Sequence, residues 1–167
     1  LIAPTDGACV VTSGAGGSIS GLRFAGANAE GDAAAEPCLV LSSSGLRLEN
    51  NRIAGGDGPA ILVRDGGAPT IAGNTIENGA GPGIVVAATS GADPAVIDNT
   101  IERAAGAGIF VYDHGRGRFE RNFIIGSRLS GAVIAAGGEA RLSGNAIRES
   151  EEHGVLVVEG GSAVVEG

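Results

Sequence analysis

The sequence contains no lysine, methionine or tryptophan, and its aromatic residues are four Phe and one Tyr in 167 positions. Without lysine every basic charge is an arginine, and 11 of these against 19 Asp and Glu leave a formal net charge of −8. A chain with a pI near 4.7 repels a phosphate backbone, and no basic stripe is clustered to overcome that, so no nucleic-acid partner is expected. The few aromatics leave few flat platforms for sugar rings. Apolar runs stop at four or five residues, as in Ile84-Val85-Val86-Ala87-Ala88, too short for a membrane-spanning helix. The two cysteines, Cys9 and Cys38, lack metal-ligand spacing, and two thiols do not fix a redox compartment. An initiator Met and a leader are missing too: the chain starts Leu1-Ile2-Ala3-Pro4 and stops at Gly167 inside a repeat, which points to an excised piece of a longer protein. The expected chain is soluble, with a secreted or periplasmic setting ahead of a cytoplasmic one. Its Gly- and Ala-rich, Lys-free usage points to a bacterial, GC-rich coding sequence.

What is present is a repeat. An Asn-x-Ile triplet recurs at Asn51, Asn74, Asn99, Asn122 and Asn145, spaced by 23, 25, 23 and 23 residues. Nine residues after each Asn stands a small residue, Ala60, Gly83, Gly108, Gly131 or Gly154, followed by an apolar tripeptide such as Ile61-Leu62-Val63. Three residues before each Asn is a further apolar position: Leu48, Ile71, Val96, Phe119 and Leu142. Units of this length, built from period-2 strands with glycine at the corners and no helical period, are coils of a solenoid. The fold predicted is all-β, a right-handed single-stranded parallel β-helix of about seven coils of about 23 residues. One domain spans 1–167, irregular over 1–37 and regular over 38–167, with loops protruding at Thr12 to Ser18, Ala25 to Glu36 and Thr89 to Pro94.

Strand alternation assigns the faces. Ile61, Ile84, Ile109, Ala132 and Val155 point inward with Val63, Val86, Val111, Ile134 and Val157, as do Ile53, Ile76, Ile101, Ile124 and Ile147. The outward column of the first strand is then Val40, Leu62, Val85, Phe110, Val133 and Leu156, an apolar ladder expected to be an interaction face. Beside it run Arg64, Ala87, Tyr112, Ala135 and Val158. The asparagines should form a structural ladder of amides at one corner. Cys9 and Cys38 fall in one slot of adjacent coils, where strand spacing allows a disulfide but side-chain direction does not obviously do so, so two free buried thiols are expected.

The strings GPGIVVAATSGADPAVIDNTIERA and AGIFVYDHGRGRFERNFIIGS resemble the repeats of the CASH-type, pectin-lyase-like β-helix family of carbohydrate-binding proteins and sugar hydrolases. The resemblance covers about residues 38–167 and, more loosely, Ser18 to Phe24. It implies the fold and not one chemistry, because members range from pectate lyases, polygalacturonases and alginate epimerases to copper-transport accessory proteins and the substrate-binding helices of some F-box ubiquitin ligases.

One constellation brings acid, base and phenol together: Tyr112-Asp113-His114, followed by Arg116 and Arg118. Uronate lyases and epimerases need a base, a carboxylate-neutralising group and an acid, and these five residues could fill such roles. The segment also loosely resembles the active-site stretch of alginate epimerases, in compressed spacing. The simpler reading makes Asp113-His114-Gly115 a corner turn equivalent to Asp65-Gly66-Gly67 and Glu159-Gly160-Gly161. No metal site or cofactor is expected; Asp57, Asp93 and Asp98 are the calcium candidates. Arg47, Arg118 and Arg141 share an outward column that could meet an acidic polysaccharide. His153 shares a loop column with Pro59, Pro82, Ala107 and Ser130 and should be a surface residue. The leading expectation is a recognition or scaffold module without catalysis, using its apolar face on a protein, a neighbouring domain, a second copy or a glycan. The alternative is a lyase, epimerase or hydrolase acting on an acidic polysaccharide.

Overall fold

The structure is a computed structural model that describes residues 1–14, 16–28, 35–77, 79–88 and 91–167. Each apolar stretch is cut after three to five residues by a loop or by a residue in the left-handed backbone region, so the strands stay short. Among the described residues, twenty such strands wind into three parallel sheets of seven, seven and six strands. The first sheet contains Val10–Gly14, Leu39–Ser43, Ile61–Val63, Ile84–Ala87, Ile109–Tyr112, Ala132–Ile134 and Val155–Val157. Gly17–Ser20, Leu46–Glu49, Thr70–Ala72, Ala95–Ile97, Arg116–Glu120, Glu139–Ser143 and Ser162–Glu166 make the second. Arg23–Ala25, Arg52–Ala54, Thr75–Glu77, Thr100–Glu102, Phe123–Ile125 and Ala146–Arg148 make the third. One strand of each sheet forms a rung, and each strand pairs with its counterparts in the rungs before and after it. The result is a right-handed parallel β-helix, the handedness that parallel crossovers take.

Register places like on like. Ile61, Ile84, Ile109 and Ala132 stack in the first sheet, Leu48, Ile71, Val96, Phe119 and Leu142 in the second, and Phe24, Ile53, Ile76, Ile101 and Ile124 in the third. All of these side chains are buried in one core that runs the length of the helix. Each buried branched residue contributes about 1.5–3 kcal/mol relative to exposure. The columns loosen towards the last rung: Ile147 of the sixth rung and Val155 of the seventh are half-buried, and Val157 is exposed.

The first rung is more regular than expected. Val10–Gly14, Gly17–Ser20 and Arg23–Ala25 pair in register with the second rung, and Ile2 adds an isolated bridge to Phe24. Of the loops expected to protrude, residues 15, 29–34 and 89–90 lie outside the described residues.

Two corners position the polar residues that matter below. Between first and second sheets, Arg64–Gly67, Tyr112–Gly115, Ala135–Gly138 and Val158–Gly161 are four-residue turns, each closed by a backbone hydrogen bond of 2.8–2.9 Å from the last N–H to the first carbonyl. Their two central residues have positive φ: Asp65 and Gly66, Asp113 and His114, Ala136 and Gly137, Glu159 and Gly160. This is the type I′ geometry. Between second and third sheets a single left-handed residue precedes the next strand: Gly21, Asn50, Gly73, Asp98, Arg121 or Gly144.

Candidate functional site

After the left-handed residue at the second corner comes the asparagine of each repeat. Asn51 N–H and Nδ2 both donate to Asn74 Oδ1 at 3.0 Å, and the same pair of bonds joins Asn74 to Asn99, Asn99 to Asn122 and Asn122 to Asn145 at 2.9–3.0 Å. The remaining amide hydrogen reaches the carbonyl of the inward second-sheet residue one rung back, for example Asn99 Nδ2 to Ile71 O at 2.8 Å. Asn51, Asn74, Asn99 and Asn122 are buried, and every donor and acceptor of the middle amides is used. At the start of the ladder Leu22 N–H donates to Asn51 Oδ1 at 3.0 Å, so backbone replaces the amide there. Buried polar groups satisfied in this way stabilise the stack, and the middle amides have no group left over to hold a ligand.

The Tyr112-to-Arg118 stretch is spread around the first corner. Asp113 and His114 are the central turn residues; His114 is exposed, at φ 61°. Its ring lies over Gly137 of the next rung, where a Cβ would sit 2.7 Å from Nδ1. Tyr112 stacks on Phe110, ring centroids 4.6 Å apart, on the outer face of the first sheet. Arg116 and Arg118 point outward from the second sheet, and Arg116 pairs with Glu139 at 3.4 Å. The five residues are therefore divided between the first sheet, the corner turn and the second sheet.

The outer arginines stand in the expected column, Arg47, Thr70, Ala95, Arg118 and Arg141 in register. Their charge is largely answered: Arg47 pairs with Glu49, and Arg141 with Glu166 at 3.0 Å. A shallow depression on this face is lined by both signs, Asp93 and Glu139 beside Arg116 and Arg141. Asp98, weighed as a calcium ligand, is held instead by Arg121, Nε to Oδ1 at 2.8 Å and Nη2 to Oδ2 at 3.0 Å. That hydrogen bond keeps the Asp98 carboxyl below its ordinary range. Among the described residues, no three His, Cys, Asp or Glu side chains are grouped to hold a metal ion. No described helix is long and apolar enough to cross a membrane. His153 is exposed, its Nδ1 3.4 Å from Ser130 Oγ of the preceding rung.

The apolar column lies in register on the outer face of the first sheet: Val40, Leu62, Val85, Phe110, Val133 and Leu156. It is less bare than alternation alone implies, with Val40 at 5% and Val85 at 3% exposure and the other four half-buried. Flat stacking makes each side chain shelter its neighbours. The adjacent column holds Arg64, Ala87, Tyr112, Ala135 and Val158, of which Arg64 and Val158 are exposed.

The left-handed column ahead of the asparagines is the feature that sequence reasoning missed. Gly21, Asn50, Gly73, Asp98 and Gly144 are residue types that tolerate positive φ, and their recurrence one place before each ladder position was the available signal. Arg121 breaks the residue pattern while keeping the conformation.

Neither a search of curated proteins nor one of solved structures finds a match to this chain. The family model of the right-handed β-helix region matches residues 4–122 and again 86–167, the overlap being what a repeat produces. The two matches together run through all seven rungs, and with the three parallel sheets they establish that the chain belongs to the right-handed β-helix family.

Proposed function

We propose that this chain is a recognition module without catalysis, a rigid β-helix that presents the outer face of its first sheet to a protein surface, either a second copy or another domain. The observation that carries the reading is the column Val40, Leu62, Val85, Phe110, Val133 and Leu156, six rungs without one charged side chain. At about 4.8 Å per rung it runs for roughly 25 Å, and the stacked Phe110–Tyr112 pair widens it in the middle. Rigid aromatic and aliphatic anchors on a preorganised face lose little entropy on docking. The polysaccharide-enzyme alternative draws support from Arg118 standing beside Arg141, but the neighbouring carboxylates Glu139 and Glu166 oppose a polyuronate there.

Sedimentation velocity over a concentration series tests the reading, using the double substitution Phe110→Glu with Val133→Glu. A dimer that the substitution abolishes while circular dichroism and melting stay unchanged is expected. An oligomer indifferent to the substitution would overturn the proposal. So would turnover of a uronate polymer that disappears in a folded His114→Ala variant.

A further inference from the structure

The residue immediately before each first-sheet strand occupies one column: Cys9, Cys38, Ala60, Gly83, Gly108, Gly131 and Gly154. In the fourth, fifth and sixth rungs the slot has no room for a side chain. A Cβ at Gly108 would lie 2.5 Å from Ile124 Cγ2 and 2.7 Å from the Gly131 carbonyl oxygen. The first two rungs fill the same slot with the only two cysteines of the chain. Their backbones are joined by Cys9 N–H donating to the Cys38 carbonyl at 2.7 Å, and their Sγ atoms face each other at 2.6 Å. Adjacent strands stand about 4.8 Å apart, within the Cα separations that a disulfide spans. The doubt left by the sequence concerned direction, and in the structure the thiols point at one another.

We propose that Cys9 and Cys38 are a disulfide site, and that the bond is a redox-set clamp of the first rung onto the second. The clamp has something to hold. The first rung covers Leu39, Leu41 and Leu48, all fully buried, yet its own strands are poorly covered, with Val10 and Ile19 half-buried and Val11 exposed. If this rung frays, it uncovers the edge of Leu39–Ser43, an unpaired parallel strand that can pair with another chain. Cys9 is the more exposed of the two, half-buried where Cys38 is fully buried. Burial, with the Cys9 thiol beside it, also pushes the Cys38 thiol above its ordinary range. Cys9 therefore meets the oxidant first, a low-molecular-weight disulfide such as glutathione disulfide. The Cys9 thiolate attacks one glutathione sulfur, forming a mixed disulfide and expelling one glutathione thiolate. Cys38, deprotonated, then attacks the Cys9 sulfur and expels the second. Two protein thiols lose two electrons and two protons, and one glutathione disulfide becomes two glutathiones.

The test takes the 167-residue chain through glutathione disulfide or excess dithiothreitol, followed by iodoacetamide, intact mass, thermal melting and amide hydrogen exchange. In the oxidised monomer the loss of two hydrogens, no alkylation, and a melting temperature raised by roughly 5–10 °C are expected. Amides of Val10–Gly14 should then exchange about tenfold more slowly than in the reduced chain. Both effects should vanish in Cys9→Ser and in Cys38→Ser. The same wild-type chain with and without reductant isolates the bond if either variant folds poorly. A persistent glutathione adduct, a disulfide-linked dimer, or two alkylatable thiols after oxidation would overturn the site. A bond that leaves melting and exchange unchanged would overturn the clamp.

Discussion

Two corners of each coil spend polar residues in opposite ways. At the second-to-third-sheet corner the residue type repeats, five asparagines whose amides bond from rung to rung and are buried through most of the stack. At the first-to-second-sheet corner of four rungs only the conformation repeats. Asp65, Asp113, Ala136 and Glu159 take the same positive φ, and each turn is closed by its own backbone. Where a side chain links rungs, its identity is dictated; where the backbone closes the turn, identity is free. That freedom is why Tyr112-Asp113-His114 attracts attention as chemistry yet sits in a place that imposes no chemistry.

The sharpest way to break this comparison is to cut the ladder in its middle. Asn99→Ala leaves Asn74 N–H and Nδ2 without their acceptor and the buried carbonyl of Ile71 without its side-chain donor. Unsatisfied buried groups of this kind cost about 1–3 kcal/mol each, so a combined loss of about 3–5 kcal/mol is expected in urea denaturation, with the m-value unchanged. Asp113→Ala, at the other corner, should change stability by about 0.5 kcal/mol or less. Equal losses at the two sites would abolish the distinction.

A smaller effect of opposite sign sharpens it. His114 holds φ 61° in the slot that Gly66, Gly137 and Gly160 fill in other rungs. A side chain there is strained by about 1 kcal/mol, part of which glycine recovers in the folded state and part of which it returns as extra freedom when unfolded. His114→Gly is therefore expected to raise the melting temperature by about 1–3 °C. A large destabilisation instead would mean that the imidazole over Gly137 binds the rungs together, and that this corner too depends on a side chain.

Much of the fold was legible because its signals are periodic. The five triplets fixed the rung length, and the apolar positions three before and two after each Asn fixed two of the three core columns, which are buried from the second rung to the sixth apart from the half-buried Ile147. Equivalence of Asp113-His114-Gly115 with Asp65-Gly66-Gly67 was readable from glycine placement and holds in the backbone angles. What escaped depends on neighbours rather than on residue type. The left-handed conformation of Arg121 is not suggested by arginine, the shelter of Val40 and Val85 comes from the stacked rungs, and the facing of the Cys9 and Cys38 sulfurs is set by corner geometry. The candidate chemistry was hardest to weigh, since Tyr112 and Arg118 are six residues apart in sequence but lie on different sheets.

The smallest effect lies on the rim of the ladder corner, where Asp98 and Arg121 are stacked left-handed residues of adjacent rungs. Their two-pronged ion pair is exposed, and the hydrogen bond from Arg121 outweighs the opposing loss of water in lowering the Asp98 carboxyl. A carboxyl depressed in the folded state contributes stability above its unfolded value near 3.9, and that contribution is lost as pH falls through the folded value. At an exposed position salt screens the attraction, so the stability change should be slight and fade with ionic strength. The titration itself is the better readout. Arg121→Gly keeps the left-handed backbone that glycine tolerates at Gly73 and Gly144 while removing the guanidinium. Followed by NMR, the Asp98 midpoint should rise towards the ordinary carboxylate value in this variant, and part of the way in the parent chain at high salt. A midpoint that stays depressed after Arg121 is gone would assign the shift to the turn backbone, and the rim of the ladder corner would then behave like the first corner, governed by conformation alone.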